Sequence, residues 1–211
     1  MKVIKSKAFI DENIDGQAIL KKIERCGRVC YKSEASIQDE SAEKFVAAIV
    51  KRGHESVLEH VSVTVRFIVD RGVSHEIVRH RIASFSQEST RYCNYSKNDF
   101  GAEITVIMPY FFEGDTPGYK CWEAAMMEAE CAYFDLLNIG HTAQEARSVL
   151  PNSLKTEVVM TCNLREWRHF FKLRCAKAAH PQMREVAIPL LEEFTQKIPV
   201  MFDDLKGLLN R

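Results

Sequence analysis

At 211 residues with 46% hydrophobic side chains, the chain is long enough to bury a substantial core and reads as one domain spanning residues 1–211. Lysine plus arginine and aspartate plus glutamate both number 29, so the formal charge is zero and the basic excess of a nucleic-acid polymer binder is missing. The opening Met1-Lys2-Val3-Ile4-Lys5 lacks an apolar signal core and no apolar run reaches membrane-spanning length, so a cytoplasmic protein without a membrane partner is expected.

Residues 2–10 read as a first strand. Over residues 16–26, Ile19, Ile23 and Cys26 recur at helical spacing, and Gly27 offers a stop. A second helix is expected from about 39 to 51, where Phe45, Ala48, Ile49 and Arg52 repeat and Gly53 closes the pattern. The block 54–60 carries four titratable residues, His54, Glu55, Glu59 and His60, and is either a solvated connection or part of a site. From 61 to 69 every odd position is apolar and the even ones are mostly polar, the pattern of a strand with one face in the core. Asp70-Arg71-Gly72 turns the chain, and Ser74 can cap a short helix over 75–81 with Glu76 in its first turn. In that reading Arg79, His80 and Arg81 fan around the last helical turn. One ligand cannot be wrapped by such a fan alone, which leaves room for one or two of them to face another subunit.

Residues 79–92 concentrate the anion-binding chemistry of the chain. Arg79-His80-Arg81 is followed by Arg91, and between them stand Ser84, Ser86, Gln87, Glu88, Ser89 and Thr90. Arginine offers a rigid fork of donors that matches phosphate, and hydroxyls or backbone amides can supply the rest. Val73, Ile77, Val78, Ile82 and Phe85 interleave with the polar set and tie it to a core, which favours a binding site over a surface loop.

Beyond it, 104–108 reads as a short strand ended by Pro109, and 110–118 as a connection. A long helix follows over 121–138, closed by Gly140, with Met126 and Met127 as packing groups. Thr142-Ala143-Gln144-Glu145 is a capping box opening a helix that carries Arg147 and is cut off at Leu150-Pro151. Residues 154–162 alternate again, with Thr156, Val158, Met160 and Cys162 on one side. Asn163-Leu164-Arg165-Glu166 resembles a second capping box, and the helix to Arg174 spaces Trp167, Phe170 and Phe171 for burial. His180 precedes the last major helix, with Pro181 in its first turn and Pro189 expected to kink it; Pro199 starts a terminal segment to 209. These elements add up to an α+β domain, a central antiparallel or mixed sheet flanked by helices.

The seven cysteines (26, 30, 93, 121, 131, 162 and 175) have no framework or zinc-ligand spacing and are expected to be reduced and mostly buried. His54-Glu55 and His75-Glu76 start like a zinc-protease motif, but the next histidines, His60 and His80, lie six and five residues on instead of four. No metal is expected. There is also no Gly-x-Gly-x-x-Gly or phosphate-loop motif, so any dinucleotide must be held by arginines and helix ends.

Arg79-His80-Arg81, seven residues, then Ser89, extended through Arg91-Tyr92, resembles the signature of flavin-dependent thymidylate synthases. Further blocks carry the resemblance over most of the chain: His54-x-Ser56-x-x-Glu59-His60, Arg147 with Leu150-Pro151, Asn163-x-Arg165, Leu173-Arg174 and His180-x-Gln182. The resemblance implies methylation of dUMP at C5 to dTMP, with methylenetetrahydrofolate as one-carbon donor and FAD reduced by NADPH as hydride source. It assigns His54, Ser56, Arg79, His80, Arg81, Gln87, Asn163, Arg165, His169 and His180 to the flavin. Glu76, Arg79, Gln87, Glu88, Ser89, Thr90, Arg91, Arg147 and Arg174 go to the nucleotide, with Arg91 and Arg147 near the phosphate. Glu59 and His60 would hold their block in place. Glu76 stands where some members have glutamine and His169 where some have asparagine. A homotetramer with sites at subunit junctions is also implied.

Arg174, at the uracil edge, is the implied catalytic residue, since a guanidinium there stabilises charge developing in the ring. Without the resemblance, an arginine at a helix end is equally a dipole partner. A covalent role for Ser89 needs an adjacent base and an orienting group; His80 is nine residues away, no Asp-His pair is evident, and no Pro-Cys nucleophile motif stands in its place. Direct hydride delivery is the preferred expectation. A generic flavin reductase, or a nucleotide- or RNA-binding module, is the competing reading; a flavin spectrum and a response to dUMP separate the three.

Overall fold

Alternation in two segments produces the two longest strands of the computed structural model, which describes residues 1–96, 101–112 and 114–209. They are β3 (Ser62–Asp70) and β6 (Lys155–Asn163), and on each the apolar alternate positions are buried, as expected. Leu164 N donates to Val61 O, and the hydroxyls of Thr64 and Thr161 meet at 2.9 Å, so residue numbers rise on one strand as they fall on the other: the pair is antiparallel. With β2 (Lys7–Ile10) and β4 (Ala83–Gln87) they form a four-stranded sheet in the order β2-β3-β6-β4. A second sheet pairs β1 (Lys2–Ile4) in parallel with β5 (Thr105–Ile107), Lys2 opposite Thr105. The fold is α+β with both strand directions present, in agreement with the expected class. The single strand expected over 2–10 is two, because its halves pair with different partners and the ladder breaks at Lys5-Ser6.

The backbone gathers into two compact units built from interleaved segments: Met1–Lys7, Phe67–Arg79 and Ser86–Val158 in the first, Ala8–Arg66, His80–Phe85 and Val159–Arg211 in the second.

In the first unit, Tyr95, Ile104, Val106, Trp122, Met126, Tyr133, Ala146 and Leu154 form the core. Helix α4 (Pro117–Asn138) starts four residues before its expected onset, because the Thr116 hydroxyl accepts from Tyr119 N at 3.1 Å and Pro117 suits the first turn. The connection expected over 110–118 is therefore shorter and opens with a single helical turn, Tyr110–Phe112; Glu113 lies outside the described residues. Met126 is buried, whereas Met127 is half exposed and does not pack as expected. The capping box at Thr142 is present and opens α5 (Ala143–Ala146), with Thr142 N donating to Glu145 Oε2 at 2.8 Å.

The expected helix over 75–81 is displaced. Helix α3 spans Arg71–Ile77 and is capped by Asp70, whose carboxylate accepts from Val73 N at 2.8 Å. Asp70 combines an N-cap acceptor with negative charge at the helix N-terminus. Ser74 lies inside this helix, buried, and its hydroxyl donates to Arg71 O. The helix ends before Arg79, so Arg79, His80 and Arg81 occupy the connection to β4 and do not fan around a helical turn.

In the second unit, α1 (Gly16–Val29) packs on α2 (Ser41–Arg52), which closes at Gly53 in the left-handed conformation as expected. Gly27 does not stop α1. It lies inside the helix where the Phe45 ring crosses, 2.7 Å from where a Cβ would sit. An aromatic cluster, Trp167, Phe170 and Phe171 of α6 (Leu164–Arg174), Phe194 of α7 (Pro181–Lys197) and Phe202 of α8 (Pro199–Phe202), fills the interior. Helix α7 runs through Pro189, which is exposed. Gly16 opens α1 against the end of α7, and a Cβ there would collide with the Lys197 carbonyl oxygen. Because the obstacle is backbone, Gly16→Ala is expected to destabilise by about 1–3 kcal/mol despite its better helix propensity. A urea midpoint equal to wild type would contradict this.

Only Cys162 and Cys175 are buried; Cys26 and Cys93 are half-buried, and Cys30, Cys121 and Cys131 are exposed. The expectation of mostly buried thiols fails because Cys30 lies at the end of α1, and Cys121 and Cys131 on the solvent side of α4. Burial pushes the Cys175 thiol up to about 12, so it stays protonated at neutral pH. Among the described residues, no helix is long and apolar enough to cross a membrane.

Candidate active site

The second unit brings together residues far apart in sequence around the first turns of α6. Asn163 caps this helix, its Oδ1 accepting from Glu166 N at 2.9 Å. A reciprocal capping box would turn the Glu166 side chain back toward Asn163. Instead, Glu166 Oε1 meets His80 Nδ1 at 2.9 Å. On the other side of the imidazole, Arg174 Nε donates to His80 Nε2 at 3.0 Å. Arginine can only donate, so Nε2 is the acceptor and the ring proton resides on Nδ1, where it is donated to the Glu166 carboxylate. The His80 ring is buried against Phe170, with ring centres 4.9 Å apart, and the His169 ring lies 5.9 Å away. Burial lowers the His80 pKa; Arg174 and His169 lower it further, and Glu166 opposes them.

Ligand atoms of His80, Glu166 and His169 approach within 4.8 Å of one another, the only such group among the described residues. Both His80 nitrogens are already engaged, and the Arg174 guanidinium beside them repels a cation. The arrangement is a hydrogen-bond relay.

A cavity of about 440 Å³ opens beside this relay. Arg81, Asn163, Arg165 and His169, four residues that the family resemblance assigned to a flavin, line it, together with Glu55, Glu59, Ile82, Glu166 and Lys172. Glu59 holds Arg165 at 2.6 Å, so it anchors a cavity-lining cation as well as its own block. That block is a short helical turn, Glu55–His60, tied to α6 by Glu55, which accepts from Arg168 Nε at 3.0 Å. His54 and Ser56 are exposed on the block, and His180 is exposed at the start of α7; none of the three lines the cavity. The lining is mixed in charge: Arg81, Arg165 and Lys172 stand with Glu55, Glu59 and Glu166, and Asn163 adds an amide, so the cations can meet an anionic group of a ligand while the carboxylates hold them in place.

The first unit gathers a second polar cluster around the signature stretch. Lys155 Nζ bridges Glu88 Oε2 at 2.9 Å and Glu157 Oε1 at 2.7 Å, while Tyr95 OH donates to Glu88 Oε1 at 2.9 Å. Burial, followed by the Glu88 charge and hydrogen bond, drives the Tyr95 hydroxyl far above its ordinary pKa. Gln87 Nε2 donates to Ser74 Oγ at 3.0 Å, and Arg71 to the Glu88 carbonyl at 3.4 Å. Ser89 Oγ accepts from Arg91 N at 3.3 Å, and Arg91 Nε donates to Gln144 Oε1 at 3.1 Å. Arg91 is thereby drawn toward α5, which leads directly to the exposed Arg147. Thr90 is buried, Glu76 half-buried and Arg79 exposed.

Sequence reasoning missed Glu166 because its spacing from Asn163 is that of a capping box. It also missed Lys155 and Tyr95, whose partners become apparent only when β6 and the segment after β4 are placed. A cation beginning an alternating strand was the one available signal for Lys155.

Residues 15–200 match a family model described as thymidylate synthase complementing protein. The flavin-dependent thymidylate synthase of Pyrococcus furiosus is 36% identical over 176 residues, 82% of this chain and 68% of that protein. The one from Geobacter sulfurreducens is 37% identical over 186 residues, 84% of this chain and 78% of that protein. Among solved structures, a UMP/dUMP methylase, PolB from Streptomyces cacaoi, bound with 5-Br dUMP, superposes with a TM-score of 0.78 over 98% of this chain and 97% of that one, at 22% identity. At that identity the likeness concerns the fold.

Proposed function

The chain belongs to the flavin-dependent thymidylate synthase family and is an enzyme; from that premise we propose that it converts dUMP to dTMP, with methylenetetrahydrofolate as carbon donor and NADPH as reductant. FAD, when bound, supplies the hydride. The observation that carries the reading is the placement of Arg174, held through Nε by a buried neutral histidine beside the polar cavity. Uracil C5 is a poor nucleophile until electron density is pushed into the ring. A guanidinium at the N3–C4=O edge stabilises the negative charge that develops there, and a pre-oriented one does so without reorganising.

Arg81, Asn163, Arg165 and His169 hold the cofactor in the cavity, and His54, Ser56, His80 and His180 are further cofactor residues. In the first unit, Arg91 and Arg147 take the nucleotide phosphate, Ser89 and Thr90 add hydroxyl donors, and Glu76, Arg79, Gln87 and Glu88 shape the site. Ser89 is a hydrogen-bonding group in this scheme, not a nucleophile: its hydroxyl accepts from Arg91 N. The working enzyme is a cytoplasmic homotetramer with sites shared between subunits, so dilution to monomers should release flavin.

Purified protein should show flavin absorbance and, with NADPH, methylenetetrahydrofolate and dUMP, form dTMP. NADPH oxidation without any response to dUMP would instead identify a flavin reductase.

A further inference from the structure

Glu166 has no place in the scheme above, yet its carboxylate receives the only ring proton of His80. We propose that Glu166 is a positioning residue: it locks His80 in the Nδ1–H tautomer, and the lone pair exposed at Nε2 orients Arg174 for the reaction. The inference rests on the role given to Arg174 above and adds a requirement that His80 be neutral.

Three features carry it. The two contacts, 2.9 and 3.0 Å, lie on opposite nitrogens of one ring, so the state of one dictates the other. His80 is nearly sealed from solvent at 4% exposure, so water cannot replace either partner cheaply. Glu166 also sits at the third position of α6, where Asn163 Oδ1 holds its amide while its carboxylate turns to His80 instead of back to the helix start.

The groups facing the imidazole are Glu166, His169 and Arg174 from α6, with the Phe170 ring against its face; Arg81 Nη1 binds the His80 carbonyl at 2.8 Å. Protonation of Nε2 would turn the acceptor into a donor opposite a guanidinium that cannot accept. Arg174 would then lose its tether, giving turnover an acid limb set by His80. The His80 pKa is depressed, so the limb falls below the ordinary histidine range. Removing the Glu166 charge removes the influence that favours imidazolium and moves the limb to still lower pH.

The test compares Glu166→Gln and Glu166→Leu with wild-type holoprotein, following dTMP formation against pH, NADPH-driven flavin reduction and thermal stability. The amide oxygen of glutamine can still accept from Nδ1–H, so E166Q should keep more turnover than E166L and show the acid limb at lower pH. E166L should lose dTMP formation on the order of ten- to a hundred-fold through misplacement of Arg174, a larger loss than it shows in flavin reduction. A limb unmoved in E166Q, or turnover in E166L equal to wild type, overturns the proposal. If E166L fails to fold, the E166Q limb still decides. Protein labelled with ¹⁵N-histidine, with Glu166→Gln compared and His80→Asn used to assign the resonances, provides a readout independent of turnover. A neutral Nδ1–H tautomer, titrating lower in E166Q, is expected; an Nε2–H or charged ring at neutral pH refutes the relay. Should wild type form no dTMP while the ring behaves as described, the assigned activity fails and the relay stands.

Discussion

Arg174→Ala is expected to lower dTMP formation by about a hundred- to a thousand-fold, the usual loss when a preorganised donor to a developing oxyanion is removed. Flavin reduction by NADPH should continue at its wild-type rate, because that step does not involve the pyrimidine. Arg174 is half-buried, and its Nε hydrogen bond to His80 fixes the plane of the guanidinium. Arg174→Lys should recover little, since an ammonium is a point charge without a planar fork and has no Nε to bind His80. Single-turnover assays with pre-reduced enzyme separate the two steps. A loss below ten-fold in dTMP formation would remove Arg174 from its assigned role, as would an equal loss in flavin reduction.

The largest effect on stability is expected at Arg168. Its side chain is 2% exposed, and it donates to Glu55 at 3.0 Å and to both Asp204 oxygens at 2.8 and 2.7 Å. It also donates to the Met201 carbonyl. One arginine thus ties the Glu55–His60 turn, α6 and the C-terminal segment together. Arg168→Ala leaves a cavity and several acceptors without a donor, and should cost about 3–5 kcal/mol, as for breaking a buried pair. Urea denaturation measures it; a loss of only ~1 kcal/mol, the worth of a surface pair, would show the network to be dispensable. The Arg168 hydrogen bond holds the Asp204 carboxyl below its ordinary pKa, against a smaller opposing effect of burial. A depressed folded-state pKa contributes stability above the unfolded value and loses it as pH falls through the folded one. Wild type should therefore lose stability on acidification below the ordinary carboxylate range, and Arg168→Ala should show less of that limb.

The pattern of alternation placed β3 and β6 correctly, because a strand with one buried face must repeat every second residue whatever it packs against. The capping box at Thr142 and the closure of α2 at Gly53 were equally legible, being local geometry. Short-range chemistry also singled out residues 79–92 as a candidate binding stretch, and its motif pointed to the family. Local rules failed where two choices competed. Asp70 and Ser74 are both plausible caps, and only the packed helix shows that Asp70 prevails; its choice moves Arg79, His80 and Arg81 off the helix. Glu166 satisfies a capping-box spacing, yet its carboxylate binds a histidine 86 residues earlier in the chain. The segments that build each unit are dispersed through the sequence, so which partner a buried charge finds depends on long-range packing. Periodicity and motif therefore determined the elements and the chemistry carried by the chain. Tertiary structure decided the proton on His80 and the aim of Arg174, because a hydrogen bond between distant residues exists only after the intervening chain has folded.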